Sequence, residues 1–374
     1  MNKYALWLNH FSTFNHDTPH KLIQLFGDVS LVYENLMDED ILAELTYREL
    51  IKEETAEEIR EFKGRLSLDD WIDLHIQDMY ESGVNAVTQE DENYPPQLLH
   101  IHEPPLALYY RGHVELMRAA IRRIAVIGTR RPTAYGLEMT RMLVTGLSEN
   151  GVSVVSGMAL GVDGAAHRAA IEAHMSGTVA VLGGGVDICY PQRNFDIYRE
   201  TIETGLVVSE YPPGTAHLSV HFPQRNRIIS GLSDGLLVIE AGMKSGTLIT
   251  ADRGLEQGRT IYAVPGRVGD SCSVGTNHLI RQGATLITCA EDILSDLYGD
   301  EVGRRRGKNR KGVIDSLSVP EMRVFSKLTY TPMFIDDVVR AGGMGVRETM
   351  SVIDKLERRG VVRRVEHGYF IRNI

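Results

Sequence analysis

Two hydrophobic rhythms divide the chain. Over residues 3–80 apolar positions recur every three to four residues. Leu22, Ile23, Leu25 and Phe26 precede a Gly27-Asp28 break, after which Val29, Leu31, Val32 and Leu36 resume the period. Such spacing puts an apolar stripe on one side of a helix, and it predicts short helices that include 39–45, 47–62 and 68–82. From residue 122 the rhythm changes to short, unbroken apolar runs, of which Ile124-Ala125-Val126-Ile127 is the first. A run without polar alternation reads as a strand covered on both faces. Strands are predicted at 123–127, 152–156, 178–182, 206–209, 235–240, 260–264 and 285–288, with helices near 135–149, 162–175, 194–203, 222–231, 247–257 and 276–282. Regular alternation of this kind gives a doubly wound, Rossmann-like α/β fold around a parallel sheet.

The flanks differ. Residues 84–112 are punctuated by Pro95-Pro96 and Pro104-Pro105, which favour an extended path, and Leu106–Tyr110 is apolar enough to add a strand to the sheet. Beyond a basic run, 320–328, 334–341 and 345–359 read as helices. Two strands around Gly368 follow, together a winged helix-turn-helix. Glu348 near the start of the third helix argues against sequence-specific base reading there. The expected division is therefore 1–82 helical, 83–299 α/β, 300–312 basic linker and 313–374 winged helix.

Composition excludes several classes. An apolar content of 43% and a charged content of 24% are those of an ordinary globular chain. Cys189, Cys272 and Cys289 form no C-x-x-C pair, which points to a reducing compartment without structural zinc or disulfides. Neither a signal segment nor an 18-residue apolar run is present, so a cytoplasmic protein with no membrane partner is expected. Charge is uneven: residues 1–110 carry 22 acidic and 7 basic residues (−15), 111–299 carry 18 and 17 (−1), and 300–374 carry 10 and 16 (+6). In the middle portion 16 of the 17 basic residues are Arg, a bias that suits planar contact with phosphate and bases. The acidic head repels phosphate, so the single-glycine turn at Phe26-Gly27-Asp28 reads as scaffold rather than as a DNA-gripping hairpin.

Candidate chemistry gathers at the carboxyl ends of the predicted strands. The first turn reads Gly128-Thr129-Arg130-Arg131-Pro132, with guanidinium groups where a dinucleotide site keeps glycines. Glycines recur at Gly157, Gly161 and Gly164, at Gly183–Gly185, at Gly242 and at Gly246, each turn offering amide groups to an anion. His167, Gln192-Arg193-Asn194, Phe222, Arg225-Asn226-Arg227 and Lys244 fall along the same edge. Arg and Asn beside an aromatic ring can hold a phosphate–sugar backbone while the ring stacks a base. Phe222 is open to two uses, stacking or core packing. Of Arg225 and Arg227 one is expected to form an ion pair, since residues two apart on a helix point differently. Asp163 and His167 lie four apart, yet no activated nucleophile or metal-ligand cluster accompanies them. Asp163 is therefore read as a helix cap before a catalytic base, and neither enzyme nor cofactor is expected.

Taken together, several motifs identify the chain as resembling DNA-processing protein A, the DprA/Smf family. They are Asn93-Tyr94-Pro95-Pro96-Gln97-Leu98-Leu99, Gly128-Thr129-Arg130, Ser156-Gly157 with Gly161-Val162-Asp163 and His167, Tyr190-Pro191 with Asn194, Phe222-Pro223 with Arg225 to Leu232, Ser245 to Ala251, and Val264-Pro265-Gly266 with Gly275-Thr276-Asn277. The resemblance covers the connector and the α/β region, and the helical head (SAM-like) and winged tail look like that family's variable flanking domains. It implies a non-enzymatic protein that binds single-stranded DNA and loads the recombinase RecA onto it, notably in natural transformation. It also implies strand contacts at Arg130 and after the Tyr-Pro step, where many relatives have a basic residue and this chain has Gln192 followed by Arg193. A homodimer through 276–288 is implied as well, with Asn277, Ile280 and Leu286 as candidate contacts. The competing reading is a nucleotide-processing phosphoribohydrolase, because Gly242-Met243-Lys244-Ser245-Gly246-Thr247 resembles the phosphate turn of those enzymes, although no Glu follows at the matching position.

Overall fold

In the computed structural model residues 1–11, 13–299, 314, 316–329, 332–366 and 368–372 are described, and the basic segment 300–312 lies outside them. The apolar stripes of the head form six helices: α1 (Lys3–His10), α2 (Thr18–Phe26), α3 (Val29–Leu36), α4 (Glu39–Tyr47), α5 (Glu53–Arg65) and α6 (Leu68–Glu81). Asp28 accepts hydrogen bonds from the Ser30 and Leu31 amides, so the acidic residue of the Gly27-Asp28 break caps α3. Gly27 turns with φ +108°, a conformation that suits a residue without Cβ.

A nine-stranded sheet follows. Strands β1 (Asn85–Thr88) and β2 (Ala107–Gly112) come from the proline-rich connector, and β2 pairs antiparallel with the outer parallel strand. The parallel set is β3 (Arg123–Ile127), β4 (Ser153–Ser156), β5 (Thr178–Val181), β6 (Leu206–Ser209), β7 (Gly235–Val238), β8 (Thr260–Ala263) and β9 (Thr285–Leu286). Strands β3 to β7 are buried at every position, as runs lacking polar alternation require. The order is β1-β2-β6-β5-β4-β3-β7-β8-β9. The chain leaves β3 toward one edge and returns to β7 beside it, so the winding reverses between those two strands.

Helices cover both faces. Ile124, Val126, Val154 and Leu237 pack under α7 (Ala134–Ser148), α8 (Val162–Ala173) and a later helix, 290–298. The opposite face, with Ala125, Ile127, Val155, Val181 and Val238, is covered from the connector and by α10 and α11; α9 (Phe195–Thr204) precedes these in the chain, α10 spans His221–Gly231 and α11 Gly246–Glu256. Two more helices, α12 (Val274–Arg281) and α13 (Ala290–Tyr298), complete the α/β region. Beyond it, α14 (Val319–Phe325), α15 (Ile335–Gly342) and α16 (Val346–Arg358) pack against a three-stranded sheet of β10 (Met333–Phe334), β11 (Val362–Glu366) and β12 (Tyr369–Arg372), in the order β10-β12-β11.

One hydrophobic cluster crosses residue 82. Trp7, Leu22, Leu36 and Ile59 of the head share it with Tyr109, Ala180, Leu182 and Val207 of the sheet. A buried ionic chain runs beside this seam. Arg227 on α10 donates to the Glu210 carboxylate and to His16 Nε2 at 2.9 Å, and His16 Nδ1 lies 2.9 Å from Glu103. Burial alone would raise the Glu210 pKa, but Arg227 and His16 together hold it down at about 2. Its ordinary value is 4.5. The depressed carboxyl therefore contributes stability that is present above that ordinary value and is lost as pH falls toward 2.

Arg227→Met should destabilise the chain at neutral pH by about 3–5 kcal/mol, because it strands a buried carboxylate. The deficit should shrink as pH is lowered toward 4, where that carboxyl can take a proton in the variant. Denaturant melts of both proteins at neutral and at acidic pH test this; a deficit that stays constant with pH would refute the assignment.

Candidate nucleic-acid interface

The carboxyl edge of the sheet carries a bank of aromatic rings. Tyr190 stacks on Phe222 with centroids 5.7 Å apart and planes at 23°, and on His217 at 5.4 Å and 19°. Three consecutive glycines after β5 make room for it. A Cβ at Gly183 would lie 3.1 Å from the Phe222 ring, and one at Gly184 would lie 2.8 Å from the His217 ring. His221 adds a second stack with Tyr211 at 4.1 Å. Tyr190 presents about half of its surface to solvent.

Two cations lie against Phe222. The exposed Arg130 guanidinium lies 5.7 Å from the ring centroid and the buried Arg225 guanidinium 5.9 Å. Both distances are within cation–π range. Arg225 donates from Nη1 to the carbonyls of Gly157 (2.8 Å) and Val181, and from Nε to Asn226 Oδ1 at 3.1 Å. Burial lowers its pKa to about 10, with Asp163 opposing the shift, so it stays charged at neutral pH. Asp163 accepts from the Gly157 and Ala159 amides at 3.1 and 3.3 Å, and burial raises its pKa even though Arg225 works the other way. The turn after β4 is thus pinned from within by one cation and one carboxylate. Met158 takes a left-handed φ of +60° there, and Asn194 Nδ2 donates to its carbonyl at 2.8 Å.

The reversal point between β3 and β7 is filled differently. Glu240, nearly fully buried, accepts the Thr133 amide at 2.9 Å and the Thr133 hydroxyl, while its own carbonyl accepts the Thr129 amide at 2.8 Å. A carboxylate of the chain itself therefore lies at the N-terminus of α7, where a Rossmann-like fold would set a phosphate.

The model of a family described as DNA recombination-mediator protein A matches residues 85–298, more than half of the chain. The chain belongs to that family. It is 37% identical over 291 residues to Protein Smf of Escherichia coli, covering 76% of each chain. It is 42% identical over 217 residues to DNA processing protein DprA of Bacillus subtilis, covering 58% of this chain and 72% of that one. The fold is similar to the X-ray structure of DNA processing protein A from Streptococcus pneumoniae, at 32% identity and a TM-score of 0.65 over 79% of this chain and 98% of that one. It is also similar to DNA processing protein A from Helicobacter pylori, described for its single-stranded DNA binding mode, at 30% identity and a TM-score of 0.51 over 57% and 95%. The chain is accordingly a DNA-processing, recombination-mediator protein with a Rossmann-like α/β fold.

Within this family's edge, the residues singled out from the sequence separate into two layers. Arg130, Arg131, Gln192, Arg193 and Lys244 are exposed, and Phe222 and Asn226 are half-buried. Gln192-Arg193-Asn194 form a 3₁₀ turn that follows the Tyr190-Pro191 cis peptide, which brings Arg193 close in sequence to the ring bank. Lys244 instead lines a groove of about 420 Å³ with Met243, Ile249, Asp252 and His278.

Other expected contacts are inner supports. His167 is fully buried, Nδ1 lies 2.8 Å from Thr178 Oγ1, and burial lowers its pKa to about 3, so it offers neither surface nor charge. Arg225 is buried beneath Phe222 and Arg227 is locked to Glu210, so both guanidinium groups expected on the edge have internal partners, not one of the two. Asn194 is buried against the β4 turn. Gly128 and Gly157 leave no room for a side chain, facing Val162 at 2.6 Å and Arg225 Nη2 at 2.6 Å respectively. Asp163 does not cap α8, whose start has no side-chain cap; it holds the amides of the loop before that helix. From the sequence, Tyr190 is marked only as part of the Tyr190-Pro191 motif and His217 is not marked at all. The glycine at 184, which leaves room for the His217 ring, was the available signal for that residue.

Gly157→Ala should lower stability by about 1–3 kcal/mol through crowding of Arg225 and Asp163. The backbone there is not left-handed, so space alone sets the effect. Urea unfolding checks this, and a change below about 0.5 kcal/mol would show that the turn is not tightly packed.

Proposed function

We propose that the chain is a single-stranded DNA-binding recombination mediator that loads RecA onto the strand in the cytoplasm, as in natural transformation. The observation that carries this reading is the exposed Arg130 guanidinium over Phe222, with the half-exposed Tyr190 ring alongside. A cation beside partly exposed rings suits a phosphate–base repeat whose bases are free to stack, which duplex DNA does not offer. Gln192, Arg193, Arg131 and Lys244 extend the polar edge for successive phosphates, and Gly128, Gly157, His167, Asn194, Arg225, Asn226 and Arg227 support it from within. The Helicobacter pylori relative, described for its single-stranded DNA binding mode, supports single-stranded DNA as the ligand class.

The remaining assignments belong to the same reading. The protein acts by binding, not by catalysis. The head, α1 to α6, is a SAM-like scaffold, and α14 to α16 with β10 to β12 form a winged helix-turn-helix. Two copies pair through the outer strand β9, where Leu286 is half-exposed, and through Ile280 of α12, which is partly buried against the core. Asn277 serves that edge by bracketing Gly266, accepting its amide at 3.2 Å and donating to its carbonyl at 3.1 Å. The phosphoribohydrolase reading fares less well, because the Gly242–Thr247 turn it relies on has no Glu at the matching downstream position.

Arg130→Ala should weaken binding to an oligo-dT strand about tenfold and lower the slope of log affinity against log salt by about 0.7, one phosphate contact. Tyr190→Ala should weaken binding by about 1–3 kcal/mol with little change in that slope, as loss of stacking does. Fluorescence anisotropy across a salt series measures both, with duplex as competitor. Unchanged affinity and slope in Arg130→Ala, or preference for duplex, would overturn the reading.

A further inference from the structure

The arrangement around Glu240 is unusual for a sheet of this winding. The reversal between β3 and β7 is the point at which open sheets of this kind form a crevice at the carboxyl edge, and the 15-residue helix α7 starts there. The positive end of a helix dipole together with free first-turn amides makes a place for an anion. Here the anion is internal. The Glu240 carboxylate takes the amide and the hydroxyl of Thr133, and Thr133 in turn caps α7 by accepting the Gly136 amide at 3.1 Å. The fit is close: a Cβ on Gly136 would lie 2.4 Å from Glu240 Oε2 and 2.5 Å from its Cδ. Gly136 thus has space for the carboxylate and for nothing larger.

Glu240 also brackets the turn that carries Arg130. Its carbonyl holds Thr129 and its carboxylate holds Thr133, one residue before Arg130 and two after Arg131. The three residues between the bonds, Arg130, Arg131 and Pro132, span the short path from β3 to α7. With both ends fixed, the Arg130 side chain is directed outward over Phe222.

We propose that Glu240 is a specificity-determining residue that occupies the phosphate position of the crevice with the chain's own carboxylate. It excludes free nucleotides and inorganic phosphate, and it positions Arg130 on the outer edge, where a continuous polyanion can reach it. The first part stands on the crevice alone; the second rests on the single-strand reading of that edge. Selection of polymer over monomer is then a property of one buried side chain. No glycine-rich phosphate loop has to be absent for it to operate.

The test uses the full chain with Glu240→Ala, Glu240→Ser as a milder change, and Glu240→Gln as a variant that keeps the volume. Thermal melts are recorded in inorganic phosphate, in adenosine monophosphate and in chloride at equal ionic strength, beside oligo-dT binding. The wild type and Glu240→Gln should show no anion-specific rise in melting temperature. Glu240→Ala or Glu240→Ser should show one, by preferential binding to the folded state. In those two variants oligo-dT affinity should fall about tenfold as the Arg130 turn loosens, and millimolar formate, a small carboxylate, should restore part of it relative to chloride. Folded Ala and Ser variants that gain no anion-specific stabilisation would overturn the proposal, as would a wild type that already binds the monophosphate. Should the anion response appear while oligo-dT affinity stays unchanged, the positioning of Arg130 by Glu240 is refuted and the exclusion stands. Wild-type chain that fails to bind oligo-dT at all would refute the single-strand reading without touching the anion result.

Discussion

Burying the Arg225 guanidinium carries a large desolvation penalty, and the carboxyl edge is arranged to offset it. Two backbone carbonyls, the Asn226 side chain and the nearby Asp163 carboxylate answer its donors and charge. In return one rigid planar group ties together three elements: the turn after β4, the end of β5 and the first turns of α10. Phe222 rests on it, Tyr190 rests on Phe222, and Arg130 reaches over the same ring. The outer, solvent-facing layer is therefore only as well ordered as the buried cation beneath it.

The same economy explains the arginine bias of the α/β portion. Read from composition, 16 Arg among 17 basic residues suggested phosphate contact. The structure shows a large share of structural use. Arg123 spans the start of β3 by donating to the carbonyls of Leu232, Leu116 and Arg118, Arg225 holds the β4 turn, and Arg227 joins the head to α10. A guanidinium presents five donors in a fixed planar fork, against three on the flexible ammonium of Lys. Residue counts do not separate these inner staples from the exposed groups.

The strand and helix order was legible because the parallel strands centre on short apolar runs and the helices carry a period near four. Predicted and observed strands coincide within a residue or two from β3 to β8. Leu106–Tyr110 adds its expected strand as β2. The two-residue strand β10 has no such pattern and escaped notice. The edge was legible as a place, from the glycines, but its depth was not. Spacing cannot tell that His167 faces Thr178 in the interior, since a helix residue one turn in lies equally often under or over the sheet edge. Nor could it show Glu240 turned toward Thr133, a contact between residues 107 apart in sequence.

The hydrophobic cluster that runs from Trp7 through Tyr109 to Val207 has a consequence for how the molecule comes apart. Because the helical head and the sheet complete each other's interior, neither has a separate melting unit at that seam. Heat should disassemble residues 1–299 in a single cooperative step, and a cut made at residue 82 would leave two sticky halves instead of two domains.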